Sequence, residues 1–165
     1  MRLFINGLQI GSTATDSTNY TQGFYGLGRP NDIGAYFYRG YISNFRVIKG
    51  SALYTANFTP STTPLTAIAN TQLLTCQSNR FIDNSTNAYT ITTAGTPTIK
   101  SFQPFTPNSS YSTYGSGYFD GTGDYVSTPN NIAFGFGTGD YTMEAWVYSS
   151  TAGGRLFEFS SNSDN

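Results

Sequence analysis

Apolar and polar positions alternate in short runs along this chain, and the clearest run is Tyr141 to Tyr148. Tyr141, Met143, Ala145 and Val147 fall on one parity, and Thr142, Glu144, Trp146 and Tyr148 fall on the other. A period of two over eight residues predicts a half-buried β-strand. Glu144 and Thr142 mark its wetter face, which places Trp146 at a sheet edge or on a concave surface rather than in the core. Upstream, Tyr118-Phe119-Asp120 and Asp124-Tyr125-Val126 predict two strand pieces around the turn Gly121-Thr122-Gly123.

The same reading extends over the rest of the chain. Arg2 to Ile10 predicts a hairpin, because Asn6-Gly7 between apolar runs supplies two residues that accept positive φ. Further strands are predicted at Phe24 to Gly28, Tyr36 to Ile48, Gln72 to Gln77, Tyr89 to Thr92, Ile99 to Phe105 and Arg155 to Phe159. Ile42 and Phe45 differ in parity, so a bulge must separate them if both point inward. Arg29 to Asp32 predicts a turn, and Ser61 to Asn70 reads as a linker-like connection. At most a turn or two of helix is expected, near Ser51 to Thr55.

Composition narrows the picture. The 165 residues suit one domain, and 13 Tyr and 13 Phe among many Thr, Ser, Asn and Gly make an all-β composition. A net charge of −1 gives no electrostatic case for nucleic acid or a membrane surface. With no histidine and a single cysteine, Cys76, there is no intrachain disulfide, no Cys/His zinc site and no histidine-based triad. Cys76 reads as a small buried hydrophobe. No apolar run is long enough to span a bilayer, and Met1 to Phe4 runs into a strand pattern without a leader-like segment.

Several segments resemble one family. Phe119-Asp120-Gly121 and Asp140 to Val147 resemble the front half of a laminin-G-like domain of the concanavalin A-like lectin/glucanase superfamily. So do Leu73 to Gln77, Phe81 to Thr86 and Tyr89 to Gly95. Leu3 to Gly7 resembles a hairpin of that family's back half, with Asn6 where an acid is usual. Gly40, Ile42, Phe45, Arg46 and Val47 match another back-half segment. The run from Arg39 to Pro60 is similar to virion proteins of marine bacteriophages.

The resemblance implies an all-β, two-sheet antiparallel jelly-roll sandwich with its halves in permuted order. Residues 1–60 would be the back half, 61–70 a linker and 71–165 the front half. The halves are expected to form one domain, completed within the chain or by a neighbouring copy. A piece cut from a tandem array of modules is the alternative. The sharpest expectation is that the Leu3 to Ile10 hairpin and Tyr36 to Ile48 share sheets with Tyr118 to Val126 and Tyr141 to Tyr148. The implied role is a non-catalytic virion structural, decoration or appendage (adhesion) module, in a virion or extracellular setting. Its partners would be other virion proteins, copies of itself or host-surface glycans. A soluble carbohydrate-binding lectin and a glycoside hydrolase-related domain are the other readings.

Candidate chemistry is sparse. Retaining glycosidases need two carboxylates about 5–5.5 Å apart. Glu144 has no second acid within reach on its strand, and Glu158 is alone on its own. Asp120, Asp124 and Asp140 gather in a glycine-rich region. Asp120 and Asp124 could give two oxygen ligands to a calcium ion, or could bond backbone N–H groups and cap a turn. Asp32 and Asp83 read as turn residues. Sugar binding uses exposed aromatic faces, and the candidates are Tyr20, Tyr25, Tyr36, Tyr38, Tyr111, Tyr114 and Trp146. Among these Tyr36, Tyr38 and Trp146 are put first. For each, packing within the sheet is the competing role.

Overall fold

A computed structural model describes residues 1–21, 23–29, 36–105 and 113–160. Its architecture is all-β, with eleven strands: β1 (Leu3–Ile5), β2 (Leu8–Ile10), β3 (Phe24–Leu27), β4 (Arg39–Lys49), β5 (Thr71–Thr75), β6 (Thr92–Ala94), β7 (Thr98–Lys100), β8 (Ser116–Asp120), β9 (Tyr125–Ser127), β10 (Tyr141–Ser149) and β11 (Phe157–Ser160). They form a five-stranded sheet ordered β10-β4-β8-β7 with β5 also on β4, a four-stranded sheet ordered β11-β3-β9-β6, and the separate hairpin β1-β2. All pairings are antiparallel. The expected helical turn at Ser51 to Thr55 is absent. Among the described residues one 3-10 turn occurs, at Ile132–Phe134, capped by the Asn131 side chain accepting from the Ala133 N–H.

The two large sheets face each other across one core. Ile42, Phe45 and Val47 of β4, Leu73 of β5 and Phe119 of β8 meet Leu27 of β3 and Val126 of β9 there. Burying such side chains stabilises the fold by about 1.5–3 kcal/mol apiece. Both sheets mix distant segments: β4 pairs with β8 and β10, and β3 lies between β9 and β11. The expected bulge is present. Ile42 and Phe45 are both buried, Asn44 adopts φ 55°, and the β4–β10 register shifts between Glu144 and Trp146. The extra residue on β4 lets both side chains reach the same core.

Two expectations are corrected. Among the described residues the hairpin shares no sheet with the other strands. Its turn forms as read, with Asn6 at φ 51° and Gly7 at φ 78°. However, the inward residue is Phe4, which packs edge-on to Tyr54 and Phe58. Leu3, Ile5, Leu8 and Ile10 are left exposed. Alternation along a strand does not say which parity faces inward, and here the parity that carries Phe4 meets the aromatic pair.

The linker-like stretch is a packed strap. Leu65 is buried and its N–H bonds Asn44 Oδ1 at 2.7 Å, Arg46 Nη1 donates to the Thr66 carbonyl at 2.8 Å, and Gln77 Nε2 donates to the Leu65 carbonyl. Buried polar side chains on β4 require partners, and the strap's backbone supplies them.

Candidate functional site

On β10 the even-numbered residues turn away from the core, because Tyr141 and Met143 pack against it and side chains alternate across a strand. The outward face of β10 and β4 has two zones.

At the Lys49 end, charge is enclosed. Arg46 donates from Nε and Nη2 to Glu144 Oε1 at 2.9 and 2.6 Å, and Tyr54 Oη donates to Glu144 Oε2 at 2.9 Å. The pair is largely buried under the strap, with side-chain exposures of 6% and 15%. Burial, with Glu144 close by, pushes the Tyr54 hydroxyl up to about 12. Glu144 therefore lies on the face expected to be wet, but an arginine and a tyrosine occupy its oxygens.

At the Arg39 end the face is aromatic. Tyr41 pairs across the sheet with Tyr118 on one side and Tyr148 on the other. Their ring centroids are 5.0 and 6.1 Å apart, tilted by 49° and 63°. Phe102 packs on both Tyr41 and Tyr148, at 4.6 and 5.2 Å, with tilts of 53° and 71°. Tyr148 and Phe102 are exposed. Trp146 continues this face and meets Phe105 edge-on at 5.2 Å. Cross-strand alignment brings Tyr41, Tyr118 and Tyr148 together, Phe102 joins them from the loop after β7, and no linear spacing announces the cluster.

The three aromatics put first for sugar binding do not come together. Trp146 is half-buried on the outward face, as read. Tyr38 is 2% exposed in the core, its ring edge-on to Phe119, and burial pushes its hydroxyl up to about 12. With neither ring face open, it cannot stack on a sugar. Tyr36 is 63% exposed with φ 64°, and its carbonyl accepts the Arg155 N–H at 2.9 Å. Tyr20 packs partly buried against Tyr141. Tyr111, Asp32 and the side chain of Tyr25 lie outside the described residues.

The aspartates act as backbone clamps. Asp124 is 1% exposed, with Oδ1 accepting the Thr96 N–H at 2.5 Å and Oδ2 the Asp120 N–H at 3.0 Å. Asp120 Oδ1 accepts the Thr122 N–H at 2.6 Å. Each cited oxygen takes a backbone N–H donor, which is the turn-capping role. Asp140 is far from both. It bonds Gly50 beyond the Lys49 end of β4, whereas Asp120 pairs with Arg39 at the other end, roughly 30 Å away along the strand. Among the described residues no cluster of three or more metal-ligating side chains occurs.

Asp83 does more than turn a loop. It accepts N–H bonds from Leu74, Ser85 and Tyr89 at 3.1, 2.8 and 3.0 Å, tying the loop after β5 to that strand. Comparison with family models, curated proteins and solved structures finds no match.

Proposed function

We propose that the chain is a non-catalytic structural or adhesion module of a virion, a permuted laminin-G-like jelly roll that engages a protein partner through its aromatic face. The virion setting rests on the resemblance of Arg39 to Pro60 to phage structural proteins. The partner class rests on geometry. Flat sugar platforms need coplanar, open rings, whereas Tyr41, Phe102, Tyr118 and Tyr148 tilt by 49–71° and pack into one another. Packed tyrosines with exposed edges are the composition of protein-interface anchors. The non-catalytic reading is supported by the acids: Glu144 is held by Arg46 and Tyr54, while Asp83 and Asp124 hold backbone N–H groups.

A lectin is the second reading, favoured by Trp146 and the exposed Tyr148 on one face. A glycan array and localisation of the chain in purified particles separate the two. The proposal expects a blank array, and a place in the particle that the double variant Phe102→Ala/Tyr148→Ala loses. Specific glycan binding abolished by Trp146→Ala would overturn it in favour of the lectin.

A further inference from the structure

Among the described residues most sheet edges are short or covered, and one is neither. The outer edge of β5 is closed by the Asn84 N–H bonding the Leu74 carbonyl at 2.7 Å, by Asp83 and by Ser85 on Gln72. At the other rim, β7 has three residues and ends in Lys100. In the second sheet β6 has three residues, and β11 has four with Glu158 among them. Short strands and charges are how proteins blunt an edge. By contrast β10 runs for nine residues and pairs only with β4 among the described residues. It contains no lysine, arginine or proline. Its one acid, Glu144, is committed to Arg46.

The polarity of this edge follows from its register. Gly50 donates to the Asp140 carbonyl and Ser150 donates to the Arg39 carbonyl, so the even-numbered residues of β10 bond to β4. In an antiparallel pair the alternate residues turn their N–H and C=O groups away. Tyr141, Met143, Ala145, Val147 and Ser149 therefore present a donor and an acceptor each to the open side. On the core-facing side the opposing sheet ends at β11, whose Phe157 lies over Phe45 of β4. That leaves Ala145 exposed and Val147 49% exposed, although both have core parity.

We propose that two copies of this chain join edge to edge through β10, antiparallel and centred on Ala145. The five outward residues are symmetric about Ala145, so such a pair matches Tyr141 with the partner's Ser149, Met143 with the partner's Val147, and Ala145 with the partner's Ala145. Every outward group then meets another, giving about ten main-chain hydrogen bonds across the two-fold axis. The half-exposed Val147 gains a methionine on its own face as an apolar cross-strand pair. With Glu144 neutralised by Arg46, β10 itself carries no uncompensated charge to oppose the approach. Strand addition of this kind draws its affinity from the main chain. The pairing stands whatever the aromatic face binds.

Sedimentation equilibrium of the wild-type chain tests it first, with an expected mass of twice 17.9 kDa. Oxidation with diamide then tests the register. Facing residues of a hydrogen-bonded pair lie about 5.5 Å apart at Cα, within disulfide reach. Ala145→Cys should be trapped as a covalent dimer. Val147→Cys should not, because Val147 faces Met143 of the second copy. Cys76 is buried, which pushes its thiol up to about 12 and keeps it out of the reaction. A monomeric wild type at every concentration overturns the proposal. So does a dimer in which the two cysteine variants cross-link equally, or Ala145→Cys does not cross-link at all.

Discussion

β4 and β10 are neighbours bonded along their whole length, yet they have opposite fates. Strand β4 is buried over seven consecutive residues from Ile42 to Ile48, while β10 is half-buried from Tyr141 to Glu144 and mostly exposed from Ala145 to Ser149. Hydrophobicity does not separate them, because β4 carries an arginine, an asparagine and a serine and β10 carries Met, Trp, Val and two Tyr. What differs is cover. β4 has β10 on one edge, β8 and β5 on the other, the second sheet on its inner face and the strap on its outer face. β10 has only half of each. Exposure here is set by position in the sheet order, which alternation within a strand does not encode.

The contrast is broken most severely at β4. Phe45→Ala should cost about 3–5 kcal/mol, read as a lower denaturant midpoint, because the two sheets cannot collapse into the space. Val147→Ala on β10, half exposed, should cost well under about 1 kcal/mol in the same measurement. Equal losses would show that β10 is as enclosed as its neighbour.

The ion pair under the strap comes next. Glu144→Ala leaves Arg46 buried without a counter-charge and should cost about 3 kcal/mol. Arg46→Met/Glu144→Leu together should recover most of that. Tyr54→Phe should cost about 1.5–3 kcal/mol, the worth of one hydrogen bond to a charged group.

An alkaline limb follows from the same burial. Tyr38, Tyr54 and Tyr141 all have hydroxyls pushed up to about 12, mainly by desolvation, from an ordinary value of 10. The folded state holds these protons more tightly than the unfolded chain. Their contribution is therefore complete below pH 10 and is lost as pH rises from 10 through about 12. Stability followed by circular dichroism should fall across that window, and tyrosinate absorbance should rise together with unfolding.

Much of this was legible in the sequence, and the misses have physical causes. The strand at Tyr141 to Tyr148, the Asn6-Gly7 turn and the bulge between Ile42 and Phe45 follow from local pattern and parity. The strap was missed because its role lies in backbone groups that serve Asn44, Arg46 and Gln77, and backbone carries no residue signature. Tyr38 was misplaced because a tyrosine reads alike whether its ring lies in the core or in water. In the aromatic cluster Tyr41, Tyr118 and Tyr148 meet through cross-strand register and Phe102 arrives from the loop after β7, and both are tertiary facts.

Smaller effects are expected at the hairpin. Gly7 has φ 78°, and a Cβ there would run into the Phe58 carbonyl oxygen, to which the hairpin is tied by the Phe58 N–H bonding the Gly7 carbonyl at 2.9 Å. Gly7→Ala should cost about 1–2 kcal/mol locally. It should raise amide exchange at Leu3 to Ile10 and leave β4 unchanged.

The most direct test of the β4–β10 contrast is amide exchange of the wild-type chain followed over a range of protein concentration. The Ile42 and Val47 amides should exchange only through global unfolding and should ignore concentration, because β4 has partners on both edges. The Met143, Ala145 and Val147 amides should exchange fast when dilute and become protected as concentration rises and a second β10 arrives. Protection at Met143, Ala145 and Val147 that does not change with concentration, or fast exchange there under all conditions, would contradict the account.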